Sequence, residues 1–174
     1  LRVRFFAVWL KIRTPYNFVI GGASGALPPV IGWAAVTGGI GIESLLLFAI
    51  IFLWTPPHTW ALALFRRGDY EAAGVPMLPV VAGERNTKLQ MMYYTALLVP
   101  ITLMPVAFGM SGLIYGITAT ALGVGFAFHA WRVWRDSAPD GGNTARPMFF
   151  YTLIYLFLIF VGLFAGRAFL IHVF

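Results

Sequence analysis

Residues 89–131 read LQMMYYTALLVPITLMPVAFGMSGLIYGITATALGVGFAFHAW, which is 43 consecutive positions without Asp, Glu, Lys or Arg. A helix needs about 20 apolar residues to cross the hydrocarbon core of a bilayer. The stretch is therefore long enough for two crossings, and Gly109-Met110-Ser111-Gly112 supplies a turn between them. This pattern predicts a pair of transmembrane helices rather than a soluble domain.

The rest of the chain repeats this pattern. Uncharged runs of 29, 22 and 20 residues lie between Arg13 and Glu43, between Glu43 and Arg66, and between Arg146 and Arg167. Only 10% of the 174 residues are charged, whereas a soluble domain has about a quarter. We predict one all-α domain, a polytopic transmembrane helical bundle. Its five predicted spans are 17–37, 44–65, 89–108, 113–133 and 148–170.

The basic residues fall on one side of this predicted topology. Nine of them flank the same ends of the spans: Lys11, Arg13, Arg66, Arg67, Arg85, Lys88, Arg132, Arg135 and Arg146. The opposite side has only Arg167. This bias orients loops 66–88 and 134–147 toward the cytoplasm, or the equivalent side in an organelle. The net charge of +6 is explained in this way, and no nucleic-acid partner is expected.

The run Trp54-Thr55-Pro56-Pro57-His58 places an ionisable side chain inside a predicted span. Such a residue is costly in a membrane and is a functional candidate by default. Helical rise puts it roughly 12 Å below Arg66, toward the basic side. The proline pair should open the helix backbone just before His58 and free carbonyls that need partners. The alternative is a neutral histidine that is hydrogen-bonded to a neighbouring helix.

Two polar clusters lie on the basic side. The first combines Arg66 and Arg67 with Asp69 and Tyr70. Guanidinium groups match phosphate oxygens, and Mg²⁺ is usually held by one or two carboxylates together with substrate phosphates. The first cluster therefore suits a diphosphate with Mg²⁺ on Asp69, unless it is simply a solvated loop. The second cluster, Lys11 to Asn17, supplies further positive charge, although Asn17 could instead cap a helix.

Small residues and prolines mark the first predicted span. Gly21, Gly22 and Gly25 allow close helix contact in a membrane, which we interpret mainly as packing. Pro28-Pro29 should kink or interrupt this span, because proline lacks the backbone donor. The chain has no cysteine and no signal-peptide pattern at its start. It opens at Leu1 without Met, and we interpret it as part of a longer protein.

Several of these stretches resemble the heme O synthases (protoheme IX farnesyltransferases) of the UbiA-type intramembrane prenyltransferases. The resemblance covers nearly the whole chain and weakens after about residue 110. It rests on these runs: Trp9 to Asn17, Val19 to Ala23, Pro28 to Ala35, Phe52 to His58, Trp60 to Leu64, Asp69-Tyr70 and Ala73 to Pro79. The Trp-Thr-Pro-Pro-His and Ala-Gly-Val-Pro-Met-Leu-Pro runs favour the heme branch over the quinone and chlorophyll branches.

The resemblance implies a reaction and its participants. Members of this family transfer a farnesyl group from farnesyl diphosphate to a vinyl group of protoheme, with Mg²⁺ assisting, and the product is heme O. Heme is then a substrate and not a cofactor. The resemblance implies an integral protein of the bacterial inner membrane, or of the mitochondrial inner membrane in a eukaryote. It also implies contact with a heme A synthase or with oxidase assembly factors.

The resemblance assigns roles to the candidate residues. His58, Asp69 and Tyr70 are the catalytic candidates, and Asp69 is also the metal ligand. Lys11, Arg13, Asn17, Arg66 and Arg67 are expected to bind the diphosphate. The family's first aspartate-rich motif is not in this sequence, and the 174-residue chain alone is expected to be inactive. A quinone or chlorophyll prenyltransferase, a transporter half with interrupted helices and a non-catalytic oxidase assembly subunit are the alternatives.

Overall fold

The computed structural model describes residues 17–138 and 143–170, and all regular structure in these ranges is helical. The helices are α1 Asn17–Gly25, α2 Pro28–Thr37, α3 Ile42–Phe65, α4 Arg67–Ala72, α5 Leu78–Val81, α6 Glu84–Ala107, α7 Leu113–Arg135 and α8 Ala145–Leu170. The predicted all-α fold class is therefore confirmed.

Four of these helices are long and apolar enough to cross a membrane. They are Ile42–Phe65, Glu84–Ala107, Leu113–Arg135 and Ala145–Ala168 within the described residues. They coincide with four of the five predicted spans, with ends that differ by up to five residues. The largest difference is at α6, which begins at Glu84 because its polar first turn makes ion pairs at the end of the bundle. The protein is an integral membrane protein.

The predicted first span is two helices in the structure. Helix α1 ends at Gly25, and α2 starts at Pro28, which occupies the first helical turn where a proline needs no donor. The predicted interruption at the proline pair is thus confirmed. Neither helix is long enough to span a bilayer alone, so a crossing by 17–37 stays a prediction.

Helix α1 packs closely against α3 through Gly22. A Cβ atom at Gly22 would lie 3.0 Å from the Thr55 Cγ2 atom, so a larger side chain would push the two helices apart. This contact supports the packing interpretation of the small residues.

Helices α3, α6, α7 and α8 form a closed bundle in which each packs against two of the others. Its core contains large buried side chains from all four, among them Trp60, Leu98, Phe126 and Tyr155. Glycines allow close approach of α7 and α8, since a Cβ on Gly125 would collide with the Tyr151 hydroxyl. The bundle is thus held by dense packing between helices, as expected where no hydrophobic effect drives helices together in lipid.

A buried lysine ties the two loops at one end of the bundle. The Lys88 ammonium donates a hydrogen bond to the main-chain carbonyl of Asp136 at 2.8 Å and lies 3.5 Å from a Glu84 carboxylate oxygen. Hydrogen bonds from the Thr144 hydroxyl and the Ala138 amide lower the pKa of the Asp136 carboxyl. Segments 66–88, 132–138 and 143–146 therefore share one end of the bundle, as predicted from their basic residues.

Surface labelling tests which side this end faces. The chain has no native cysteine, and both Gly39 and Ser137 are exposed at opposite ends of the bundle. From the distribution of Lys and Arg, we expect an impermeant thiol reagent added outside cells to modify Gly39→Cys and not Ser137→Cys. Labelling of Ser137→Cys alone would show that the topology is the opposite of the predicted one.

Candidate functional site

His58 lies between two aromatic rings at the contact of α3 with α8. Its ring centroid is 4.3 Å from that of Trp54 on its own helix and 4.8 Å from that of Phe149 on α8, and both pairs are stacked. The side chain is partly buried. Stacking on both faces fixes the plane of the imidazole and leaves only its edges available for hydrogen bonds.

The hydrogen bonds of Thr152 define the tautomer of His58. The Thr152 hydroxyl donates its one proton to the Phe149 carbonyl at 2.6 Å, and its oxygen lies 2.7 Å from His58 Nδ1. With that proton assigned to the carbonyl, Nδ1 is the donor in this pair. Neutral His58 therefore carries its proton on Nδ1 and an unshared electron pair on Nε2, which can accept a proton or bind a ligand.

The same turn of α8 also holds Trp54. The Trp54 Nε1 atom donates to the main-chain carbonyl of Thr152 at 2.8 Å. One residue thus anchors both partners of the Trp54–His58 pair, so the cluster is preorganised across the helix interface.

The proline pair before His58 does not break the helix. Helix α3 continues from Ile42 to Phe65 with Pro56 and Pro57 buried inside it, which corrects the expectation of an opened backbone. The proline nitrogens still cannot donate to the carbonyls of Phe52 and Leu53 one turn earlier. Contacts with α6 and α8 keep the helix continuous despite this loss.

The charged residues after α3 form two separate ion pairs. Arg66 Nη1 lies 2.8 Å from an Asp69 carboxylate oxygen, and both side chains are largely exposed. Arg67 Nη1 lies 2.9 Å from Glu84 on α6 in a more buried setting. The structure therefore points the adjacent arginines toward different partners. Tyr70 is half-buried on α4, one residue after Asp69.

The described residues contain no cluster of three or more His, Asp or Glu side chains able to hold a metal ion. Asp69 is exposed and has Arg66 as its partner. A carboxylate of this kind can serve Mg²⁺ as one ligand, while water and substrate oxygens fill the other positions. Asp69 thus fits a shared magnesium site and does not form a complete one.

Three of the predicted diphosphate ligands lie wholly or partly outside the described residues. Lys11 and Arg13 lie outside the described residues. Helix α1 begins at Asn17, whose side chain is also outside the described part.

Sequence reasoning missed three residues of α8 around His58 and Arg66. Thr152 and Phe149 contact His58, and Arg146 lines a pocket together with Arg66. They are far from α3 in the chain, so no local motif connects them. A signal for Thr152 did exist, because it is a polar side chain in a strongly apolar span, where such groups often hydrogen-bond to another helix.

The bundle and its site define a polytopic membrane protein with an ionisable group between its helices. Residues 5–154 match the family model described as the UbiA prenyltransferase family, and the chain belongs to that family. No solved structure matches it.

Curated relatives give a more specific comparison. The chain is 56% identical over 160 residues to "Protoheme IX farnesyltransferase 1" of Mesorhizobium japonicum, covering 92% of this chain and 51% of the relative. It is 55% identical to "Protoheme IX farnesyltransferase" of Parvibaculum lavamentivorans over 89% of this chain and 49% of the relative. The relative from Acidiphilium cryptum, with the same name, is 53% identical over 92% and 53%. The chain spans about half the length of these relatives.

Proposed function

We propose that this chain is part of an enzyme that transfers the farnesyl group of farnesyl diphosphate to a vinyl group of protoheme to make heme O. The observation that carries the proposal is the identity of 52–56% over about nine-tenths of the chain to proteins with the name protoheme IX farnesyltransferase. The intramembrane His58 cluster next to basic helix ends supports it. The reaction releases an anionic diphosphate, which suits the basic helix ends, and it forms carbocations, which need an apolar cavity. A quinone-type prenyltransferase is the alternative within the family.

The proposed reaction makes specific demands on the chain. The bond between farnesyl C1 and the diphosphate oxygen breaks, and the electron pair leaves with the diphosphate. The vinyl group then bonds to the farnesyl cation, and a water molecule adds to the resulting carbocation and loses a proton. An apolar helical interior shelters such cations from premature water attack. The unshared pair on His58 Nε2 is suited to accept the proton that the water releases.

The charged residues after α3 would handle the diphosphate. Mg²⁺ bound to Asp69 would neutralise the charge that develops on the leaving oxygens. Tyr70 would support the carboxylate or the diphosphate by a hydrogen bond. Arg67 is partly exposed and pairs with Glu84 through Nη1, and its guanidinium carries further N–H donors for the diphosphate. Lys11, Arg13 and Asn17 remain proposed diphosphate ligands, whereas Arg66, which was also expected to bind the diphosphate, lines a pocket together with Arg146.

Replacement of Arg67 by lysine tests this assignment. Lysine keeps the charge but loses the planar fork that pairs with two oxygens. We expect the KM for farnesyl diphosphate to rise several-fold while the KM for protoheme stays unchanged. A change confined to the protoheme dependence would contradict the assignment. Arg85→Lys, at an exposed position on the same end of the bundle, is the matched control and should change neither constant.

Production of heme O tests the function as a whole. The complete protein, expressed in a host that lacks its own heme O synthase, should yield heme O that is detectable by mass in extracted hemes. The 174-residue chain expressed alone should yield none, and activity should return when the remaining part is supplied on a second plasmid. A prenylated quinone in place of heme O would favour the alternative. Fractionation should recover the protein in the bacterial inner membrane, which we propose as its location.

A further inference from the structure

A pocket of about 450 Å³ lies where α3 ends and α8 begins, at the basic end of the bundle. Two arginines line it, Arg66 directly after the end of α3 and Arg146 in the first turn of α8. The rest of the lining is apolar: Leu62, Phe65, Phe149 and Phe150. Among the described residues that line it there is no Asp or Glu. The pocket therefore combines positive charge with an aromatic wall.

The two arginines have little to neutralise them. Within the described residues Arg66 pairs with the largely exposed Asp69 carboxylate, and such surface pairs contribute little to stability. Arg146 makes no ion pair within the described residues, and its guanidinium carbon lies 5.9 Å from the centre of the Phe150 ring. An anion that enters the pocket would meet two guanidinium groups with donors to spare.

The pocket shares a wall with the His58 cluster. Phe149 lines the pocket and stacks on His58, which stacks in turn on Trp54. Beyond Trp54 lies an apolar groove of about 590 Å³ along α8, lined by side chains such as Leu156 and Phe160. Positive charge, an imidazole and an apolar groove thus follow one another along the contact of α3 with α8.

This order matches a flat apolar ligand with its anionic groups on one edge. A tetrapyrrole such as protoheme has this form, since its two propionate carboxylates lie on one side of an otherwise apolar ring. We infer that Arg66 and Arg146 bind the propionate carboxylates of the tetrapyrrole substrate, an inference that rests on the proposed function. Guanidinium–carboxylate pairs are charge-assisted and can be bidentate. They would hold the ring edge at the membrane surface and its body beside His58.

A diphosphate fits the pocket less well. It carries about three negative charges and binds together with Mg²⁺, which needs carboxylate ligands from the protein. The Asp69 carboxylate proposed for Mg²⁺ pairs with Arg66 but does not line the pocket, whose other walls are apolar or aromatic. Phe149 and Phe150 suit the edge of a macrocycle better than a hydrated metal complex.

Porphyrin esters test the inference in the complete protein. We would titrate it with zinc protoporphyrin IX and with its dimethyl ester, which lacks the charges, and follow porphyrin absorbance. Arg146→Gln and Arg66→Gln should each weaken binding of the free acid by about tenfold or more, the range for loss of a charged hydrogen bond. Affinity for the dimethyl ester should stay unchanged in both variants.

Arg135→Gln is the matched control. Arg135 is exposed on the same end of the bundle and also lies over an aromatic ring, with its guanidinium carbon 4.9 Å from the centre of Trp131, but it does not line the pocket. This variant should bind both porphyrins like the wild type. An equal loss for the free acid in Arg135→Gln would reduce the effect to general surface charge and overturn the inference.

Two further outcomes would also overturn it. Equal weakening of free acid and ester would show that the arginines act through folding, and a raised KM for farnesyl diphosphate with unchanged porphyrin affinity would assign the pocket to the diphosphate. In either case the wild type still makes heme O. Failure of the proposed function is different, because the wild type would then form no heme O at all.

Discussion

Leucine in place of His58 in the complete protein is expected to reduce heme O formation by about 100-fold or more, the usual scale for a lost acid–base group. The reason lies in the hydrogen bonds of Thr152, which place the imidazole proton on Nδ1 and leave an unshared electron pair on Nε2. Leucine fills a similar volume between Trp54 and Phe149 but offers no such pair. The variant should still insert in the membrane, and heme O is measured by mass against the amount of protein.

His129→Leu is the matched control for this substitution. His129 is also partly buried in a membrane-spanning helix and also stacks on an aromatic ring, with 4.7 Å between its centroid and that of Tyr151. It lies between α7 and α8, away from α3. Loss of activity in both variants would indicate a general packing defect. Full activity in His58→Leu would leave His58 as a residue of the helix interface only.

Thr152→Val tests whether the hydrogen bond that holds the His58 imidazole matters in addition to the presence of the imidazole. Valine has nearly the shape of threonine but cannot accept the hydrogen bond from Nδ1, so either ring nitrogen can then carry the proton. We expect a partial loss of activity, smaller than that of His58→Leu, with a shifted pH profile. An unchanged profile would argue that the tautomer does not matter.

The second large effect is expected at Asp69. Asp69→Asn in the complete enzyme should lower turnover on the order of 100-fold and weaken its dependence on Mg²⁺, since a metal ion can supply several kcal/mol of charge stabilisation. The fold should tolerate the change, because the Arg66–Asp69 pair is largely exposed and such pairs contribute little to stability. Turnover measured across a Mg²⁺ titration tests both effects.

Glu71→Gln provides the comparison within the same short helix. Glu71 is exposed on α4 two residues after Asp69 and carries the same charge, but the family resemblance does not include it. This variant should have nearly wild-type turnover. If Asp69→Asn kept its response to Mg²⁺, the metal assignment would be wrong.

Much of the fold follows from the sequence because lipid imposes simple rules. Uncharged runs longer than the bilayer is thick predict helices, and the structure has long helices at four of the five predicted places. Pro28 begins α2 as its missing donor requires. Pro56 and Pro57 follow the same local rule but lie within a continuous helix, because neighbouring helices pack around them. Local chemistry predicts a lost hydrogen bond, whereas tertiary packing decides whether the helix ends there.

The candidate site is predictable only in part, for a similar reason. His58 is evident from the sequence because an ionisable group is rare inside a span. Its partner Thr152 is 94 residues further along the chain, and only the packing of α3 against α8 joins them. The adjacent arginines Arg66 and Arg67 look equivalent in the sequence, yet their ion pairs point to Asp69 and Glu84 respectively. Such choices depend on helix rotation, which a hydropathy pattern does not contain.

The link between the two loops has a consequence for how the protein can vary. Lys88 donates to a main-chain carbonyl at position 136, and every amino acid provides that acceptor. Evolution is therefore free to exchange the side chain at position 136 without losing this link, whereas position 88 must keep a long cationic side chain. The requirement is asymmetric, so the two positions need not change together, and covariation between them would be a poor guide to their contact.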